Sequence, residues 1–139
     1  MIERDAFLAA LAENEDDTTT RLVYADWLDE QGEHDEADRQ RKWPAAKEWL
    51  VGFCAANNHG PDEEDPYEWV ISYADLLELG REAVAGADKD GFGFSCGNNM
   101  TMCDALRDNS AEFWRNWSIV TGVPLPPGGA ERGGFHCAC

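Results

Sequence analysis

The sequence predicts a mainly α-helical fold, a small domain of about five to six helices with an irregular or short two-stranded β element near residues 92–96 and 134–139. Apolar residues recur at helical spacing in several segments, and proline and glycine cluster between those segments. Of the 139 residues, 43% are hydrophobic and six are tryptophan, which is enough apolar surface for a packed core. We expect one domain over residues 1–139.

Two amphipathic helices are expected at the N-terminal end. The first runs from about Asp5 to Asn14, with Asp5 as its N-cap. Its apolar stripe contains Phe7, Leu8 and Leu11. The second helix runs from about Thr20 to Gln31 and is predicted to end at Gly32. Its buried stripe is predicted to contain Val23, Tyr24, Trp27 and Leu28.

A kink or break is expected at Pro44, because a proline inside a helix removes one backbone hydrogen bond. After Pro44 the helical spacing resumes and places Cys54 on a buried face. A further helix is predicted to begin at Pro66 and to be covered on two sides. Its two apolar stripes are Tyr67, Val70, Ile71, Ala74 and Leu77, and Trp69, Tyr73 and Leu76.

Two helices are predicted near the C-terminal end, a short one near Thr101 to Arg107 and a longer one from about Ser110 to Thr121. The longer helix is expected to bury Phe113, Trp114, Trp117 and Val120. The segment that follows is rich in proline and glycine, so we expect an extended tail over the surface.

The charge of the chain is strongly negative, with 28 acidic and 11 basic residues and a formal net charge of −17. Residues 1–40 alone hold 13 acids and 3 bases. Such a surface repels phosphate groups, so direct binding to nucleic acids or anionic membranes is not expected. The acidic first third is either a solvated surface or a face for a basic protein partner.

No apolar run is long enough to predict a membrane span, and no basic segment followed by an apolar stretch predicts a signal peptide. The segment MIERDAFLAALAENEDD is typical of the start of a cytosolic protein. We therefore expect a cytoplasmic protein that does not bind membranes.

The segment FLAALAENEDDTTTRLVYADWLDEQGEHDEADRQR resembles the repeat-companion domain, a module found chiefly in planctomycete bacteria. The block RLVYADWL at residues 21–28 matches the family pattern throughout, and Glu30 and Gly32 fall at matching positions. The resemblance implies a helical hairpin over residues 1–42 and leaves the helical remainder, residues 43–139, unexplained. It also implies an adaptor or scaffold without established activity, and it transfers no catalytic residue.

Asp26 lies inside this block, between two residues of the predicted apolar stripe. We interpret it as a carboxylate that caps a neighbouring helix or pairs with Arg21 or Arg39. A catalytic acid would need a second titratable group nearby, and the sequence does not show one.

Four of the five cysteines define a candidate zinc site. The segments GFSC at 93–96 and GFHC at 134–137 repeat one pattern, and two such strands lying side by side would bring their thiols together. The candidate ligands are Cys96, Cys103, Cys137 and Cys139, with His136 as a substitute for one of them. Reduced, packed cysteines and a disulfide are the alternatives, and a cytosolic location argues against the disulfide.

These observations favour binding over catalysis. The predicted function is an acidic protein-interaction module without catalytic activity, with a structural zinc site as an accompanying hypothesis. One alternative is a cysteine-dependent enzyme, which requires a reactive thiol with a depressed pKa. The other is an acidic mimic of nucleic acid, which requires carboxylates spaced like backbone phosphates.

Overall fold

The structure, a computed structural model, describes residues 2–57, 72–87, 92–95 and 100–136. The elements in these residues are α1 (Ile2–Glu13), α2 (Thr18–Glu30), α3 (His34–Asn57), α4 (Tyr73–Ala85), β1 (Phe92–Ser95), α5 (Met100–Thr121), a short 3-10 helix (Gly129–Arg132) and β2 (Gly133–His136). The mainly helical fold class is confirmed. The chain divides into two compact units, residues 1–47 and 48–139, and the boundary falls inside α3.

Local hydrogen bonds define both ends of α2. Asp17 caps its start, since the Asp17 carboxylate accepts a hydrogen bond from the Thr20 amide at 3.1 Å. At the other end Gly32 has a φ of 81°, and the amide of Glu33 donates to the carbonyl of Leu28 at 2.9 Å. This is a Schellman ending, in which glycine adopts the left-handed conformation at no steric cost. The predicted stop at Gly32 is confirmed.

The core of the first unit lies between α1, α2 and the start of α3. Its buried residues are Leu11, Tyr24, Ala25, Leu28 and Ala37, with Phe7 and Trp27 packed against them. The rings of Phe7 and Tyr24 lie 5.2 Å apart, as expected for an aromatic pair in a core.

The predicted stripes of α1 and α2 are partly wrong. Val23 and Leu8 are exposed, and Arg21 takes a buried place on α2 instead. The physical reason is the helical phase: the buried positions Arg21, Tyr24, Ala25 and Leu28 follow the spacing i, i+3, i+4, i+7. Asp5 is not an N-cap, since α1 already begins at Ile2 and Asp5 lies within its first turn.

The predicted break at Pro44 is absent, because α3 continues through this residue. Buried residues lie both before and after the proline along α3, at Ala37, Gln40, Trp43 and Ala46. Their packing offsets the backbone hydrogen bond that a proline cannot donate. Cys54, further along the helix, is buried as predicted.

In the second unit α4 begins later than the sequence predicts. Ser72 is its N-cap, in an extended conformation, and its hydroxyl oxygen accepts a hydrogen bond from the Asp75 amide at 3.1 Å. The prediction of a single helix from Pro66 through residue 77 is therefore wrong, because the backbone is extended at Ser72. The predicted start at Pro66 and the stripe residues up to Ile71 lie outside the described residues.

The second core is built on α5, which bends at Asn109, where the backbone leaves helical geometry. This bend separates the short helix and the long helix that the sequence predicts. Phe113, Trp114 and Trp117 are fully buried, as expected, and Val120 is half-buried. The other buried members of this core are Leu50, Phe53, Cys54, Leu76, Phe92 and Ala130.

Strands β1 and β2 pair in parallel, with Phe92 opposite Gly133. Phe92 packs edge-on against Trp114 with 4.7 Å between ring centres, and Gly133 lies directly against the same indole. The expectation of an extended tail over the surface is therefore wrong at Ala130 and Gly133, since both residues are buried. The predicted β element also includes residue 96 and residues 137–139, which lie outside the described residues. Its extension to these residues stays a prediction.

A helix that crosses a bilayer needs about 20 predominantly apolar residues. In the part of the chain that the structure describes, no helix is both long enough and apolar enough to span a membrane.

Candidate functional site

Arg21, the first residue of the RLVYADWL block, is a buried cation with only 5% of its surface exposed. Its Nη1 donates to Oε1 of Gln40 at 2.6 Å, and its Nη2 donates to the carbonyl oxygen of Glu15 at 2.7 Å. The guanidinium lies 3.7 Å from the centre of the Trp43 ring, a cation–π distance. Burial lowers the pKa of Arg21, and the charge of Arg39 lowers it further. Arg21 is thus a structural residue that joins α2 to α3.

Lys47 fixes the acidic loop between α1 and α2. Its Nζ donates to Oε1 of Glu15 at 2.8 Å and to Oδ1 of Asp16 at 2.7 Å. Burial acts to lower the pKa of Lys47, but the hydrogen bonds to Asp16 and Glu15 outweigh it and raise the pKa. The charges of these two acids are therefore partly balanced inside the first unit.

Asp26 lies on the exposed side of α2 and pairs with Arg41 of α3. Nη2 of Arg41 donates to Oδ1 of Asp26 at 2.8 Å and lies 2.6 Å from Oδ2 of Asp29. The expected pairing of Asp26 with Arg21 or Arg39 is wrong, because Arg21 enters the core and Arg39 bonds to a glutamate of its own helix. Asp26 orients α3 against α2, and it lies mid-helix rather than at a cap.

A depression of about 400 Å³ lies over Gly32–Glu36 at the start of α3. Nδ1 of His34 is 2.8 Å from Oδ1 of Asp29. This hydrogen bond, followed by that of Arg41, lowers the pKa of Asp29. The histidine of this depression is therefore held in a structural contact. Two of the three carboxylates of the depression are also engaged, Glu33 with Arg4 and Glu36 with Arg39, while Asp35 has no ion pair among the described residues.

Every lysine and arginine of residues 2–47 is bonded inside this unit. Besides the contacts of Arg21, Arg41 and Lys47, the remaining ion pairs are Arg4 with Glu33, Arg39 with Glu36, and Lys42 with Asp38. Among the described residues, the acids of this unit with neither an ion pair nor a capping bond are Glu3, Asp5, Glu13, Glu30 and Asp35. The unit therefore has an excess of negative charge that its own cations do not balance.

The outward side of α2 combines apolar and acidic residues, and we call it the α2 outer face. Its members share an arc of about 100° on the helix. They are Thr19, Leu22, Val23, Asp26 and Glu30, and all five residues are exposed. Leu22 is 43% and Val23 51% exposed. The two apolar side chains lie in the first half of α2, and the two acids lie in the second half.

The α2 outer face does not follow from the predicted stripe, which places Val23 in the core. The signal in the sequence that identifies this face is a second i, i+3, i+4, i+7 pattern in the same helix. In this pattern Arg21 shares the buried face with Tyr24, Ala25 and Leu28, and Val23 lies on the opposite side. Arginine is rarely buried, so composition alone gives little reason to expect Arg21 on the buried face. Three hydrogen-bond or ring partners make the burial of Arg21 possible.

No protein-family model matches this chain. The comparisons with curated proteins and with solved structures found no match either. The resemblance of residues 21–28 to the repeat-companion domain therefore stays a prediction.

The zinc site predicted from the cysteines also stays a prediction. Cys96, Cys137 and Cys139 lie outside the described residues, and the side chains of Cys103 and His136 are not described. Within the described part of the chain, no group of three or more His, Cys, Asp or Glu side chains is arranged to hold a metal ion.

Cys54 of α3 should resist alkylation in the folded chain. Burial raises the pKa of its thiol from 9.0 to about 11, so little thiolate forms at neutral pH. The contribution of the neutral thiol to stability is full below pH 9.0 and is lost as the pH rises towards about 11. Treatment with iodoacetamide at about pH 8 and peptide mapping should find Cys54 modified only in denaturant. Equal modification of native and denatured protein would contradict its burial.

Proposed function

We propose that this chain is a protein-interaction module of the adaptor or scaffold kind, without catalytic activity, that binds a positively charged protein partner through residues 1–47. The observation that carries the proposal is the charge balance of this unit. Its lysines and arginines are all engaged within the unit, while five acids are left without an ion pair among the described residues. A partner that complements the remaining charge has to be cationic.

The described residues lend less support to the alternative of a cysteine-dependent enzyme. Such an enzyme needs a thiol of lowered pKa in an electropositive site. Burial raises the pKa of Cys54 instead, and the net charge of −17 makes an electropositive environment harder to build. The other four cysteines, which a cysteine-dependent enzyme would use, lie outside the described residues or have side chains that are not described, so Cys54 is the one thiol to which this comparison applies.

The test is a charge reversal in each unit. In the first unit Glu13→Lys and Glu30→Lys place a lysine at the last residue of α1 and of α2, where a cation suits the helix dipole. The matched control in the second unit is Glu82→Lys with Glu112→Lys, which changes the net charge equally at exposed helical positions. Proteins retained by the wild-type chain from a lysate of its source cells are compared with those retained by each double variant.

We expect the first double variant to lose most of the retained basic proteins and the control to keep them. Retention by the wild-type chain should also fall as salt rises from about 0.01 M to about 1 M, since the Debye length shrinks from about 30 Å to about 3 Å. Equal retention by the two double variants would contradict binding through residues 1–47. Retention that salt does not change would contradict a charge-steered contact.

A further inference from the structure

The α2 outer face is a helix surface whose apolar half remains about half exposed. Leu22 and Val23 lie on adjacent positions with about half of each side chain exposed. Val23 is one helical turn from Trp27, which is half-buried against the first core. The apolar surface of this part of α2 therefore continues from the outer face towards a tryptophan, the type of residue that often anchors interfaces.

Acidic side chains continue the same face towards the end of α2. Asp26 is one turn beyond Leu22, and Glu30 lies about 10 Å beyond Val23 along the helix axis. Asp26 bonds to Arg41 through one oxygen, yet its side chain remains 75% exposed. Glu30 has no ion pair among the described residues. An apolar half followed by an acidic half is thus presented along one helix of 13 residues.

We infer that the α2 outer face is a docking site for an amphipathic helix of a basic protein, with apolar side chains of the partner on Leu22 and Val23 and lysines or arginines of the partner near Asp26 and Glu30. This inference rests on the proposed function and specifies where and how the partner binds. The partner helix in docking of this kind presents apolar anchors about one turn apart, and charges set its orientation.

The charge of the chain selects this occupant over two others. A second copy of the chain would bring the same acids together across a symmetric interface, and like charges facing one another are unfavourable. An anionic lipid surface would meet the same repulsion. A partner helix with apolar residues and excess positive charge satisfies both halves of the face.

The probe for this inference is a synthetic amphipathic peptide about five turns long, with leucines along one face and lysines on the other. A matched peptide keeps the leucines and replaces each lysine by glutamate. Binding of both peptides to the full chain is measured by fluorescence anisotropy. The variants are Leu22→Ser with Val23→Ser on the face and Val51→Ser as the control, since Val51 is a similarly exposed aliphatic residue, 42% exposed, outside the first unit.

We expect the wild-type chain and Val51→Ser to bind the lysine peptide with equal affinity and the double serine variant to bind it at least about tenfold more weakly. The glutamate peptide should not bind. Because the replaced side chains are exposed, circular dichroism should show unchanged helix content, and an unfolded double variant is replaced by Leu22→Ala with Val23→Ala.

Two results overturn the inference in different ways. If the wild-type chain binds the lysine peptide in a salt-dependent manner but the double variant binds equally well, the docking face is wrong while the proposed function stands. If the wild-type chain binds neither peptide, or binds both alike, then preference for a cationic partner is wrong, and the proposed function fails together with the inference.

Discussion

Replacing Gly80 by alanine should destabilise the second unit by about 3 kcal/mol. An ideal Cβ on Gly80 would lie within 3.0 Å of three atoms of the Trp117 ring, a separation that real Cβ atoms essentially never show. The indole cannot easily move away. Trp117 is fully buried, and its Nε1 donates to the carbonyl oxygen of Leu77 at 3.0 Å. Either α4 separates from α5 or this hydrogen bond is lost.

Gly52→Ala in α3 is the matched control, because nothing lies within 4 Å of the Cβ that it adds. Gly52 is an exposed residue inside a helix, where alanine is favoured over glycine by about 0.5–1 kcal/mol. The same substitution in the same unit should therefore stabilise at one glycine and destabilise at the other. Urea unfolding monitored by circular dichroism measures both changes.

A double-mutant cycle with Trp117→Leu separates the steric clash from a general effect of the added methyl group. In the Trp117→Leu background, Gly80→Ala should cost at least about 1 kcal/mol less than in the wild-type chain. If Gly80→Ala has too little folded protein to measure alone, the two variants that carry the Trp117→Leu substitution are still compared with each other. An equal cost in both backgrounds would show that the indole is not what excludes a side chain at residue 80.

The contact between Gly80 and Trp117 illustrates what the sequence could not predict. Helical spacing alone places Phe113, Trp114 and Trp117 on one buried face of α5, and the structure confirms it. Spacing within one helix says nothing about which residue of another helix lies opposite. The need for a residue without a side chain at position 80 follows only from the indole of Trp117 that lies against it.

The sequence predicts the negative charge of the candidate site but does not predict that the site lies on the α2 outer face. Counting acids and bases is independent of conformation, so the excess of negative charge in the first third follows directly from the sequence. The α2 outer face depends on helical phase, and the phase is set by Arg21. If Arg21 is assumed to lie at the surface, the predicted buried face of α2 differs from the observed one, and Val23 is wrongly assigned to the core.

Arg21→Met should destabilise the first unit by about 3 kcal/mol, although methionine fits the space of an arginine stem. The loss leaves Oε1 of Gln40 without its donor in a buried environment, and the carbonyl oxygen of Glu15 without its donor in a partly buried one. It also removes the cation from the Trp43 ring. Arg41→Met is the control, since the ion pairs of Arg41 with the exposed Asp26 and the half-buried Asp29 stabilise by no more than about 1 kcal/mol.

Hydrogen exchange assigns the effect to a unit, because local opening is measured peptide by peptide. Amides of α2 should exchange faster in Arg21→Met, while those of α5 should exchange as in the wild-type chain. Arg21→Lys should give an intermediate loss, since lysine keeps a charge but lacks the planar fork that reaches both acceptors at once. If Arg21→Met and Arg41→Met cost the same, the buried guanidinium does not organise the first unit, and the helical phase that exposes Leu22 and Val23 loses its physical basis.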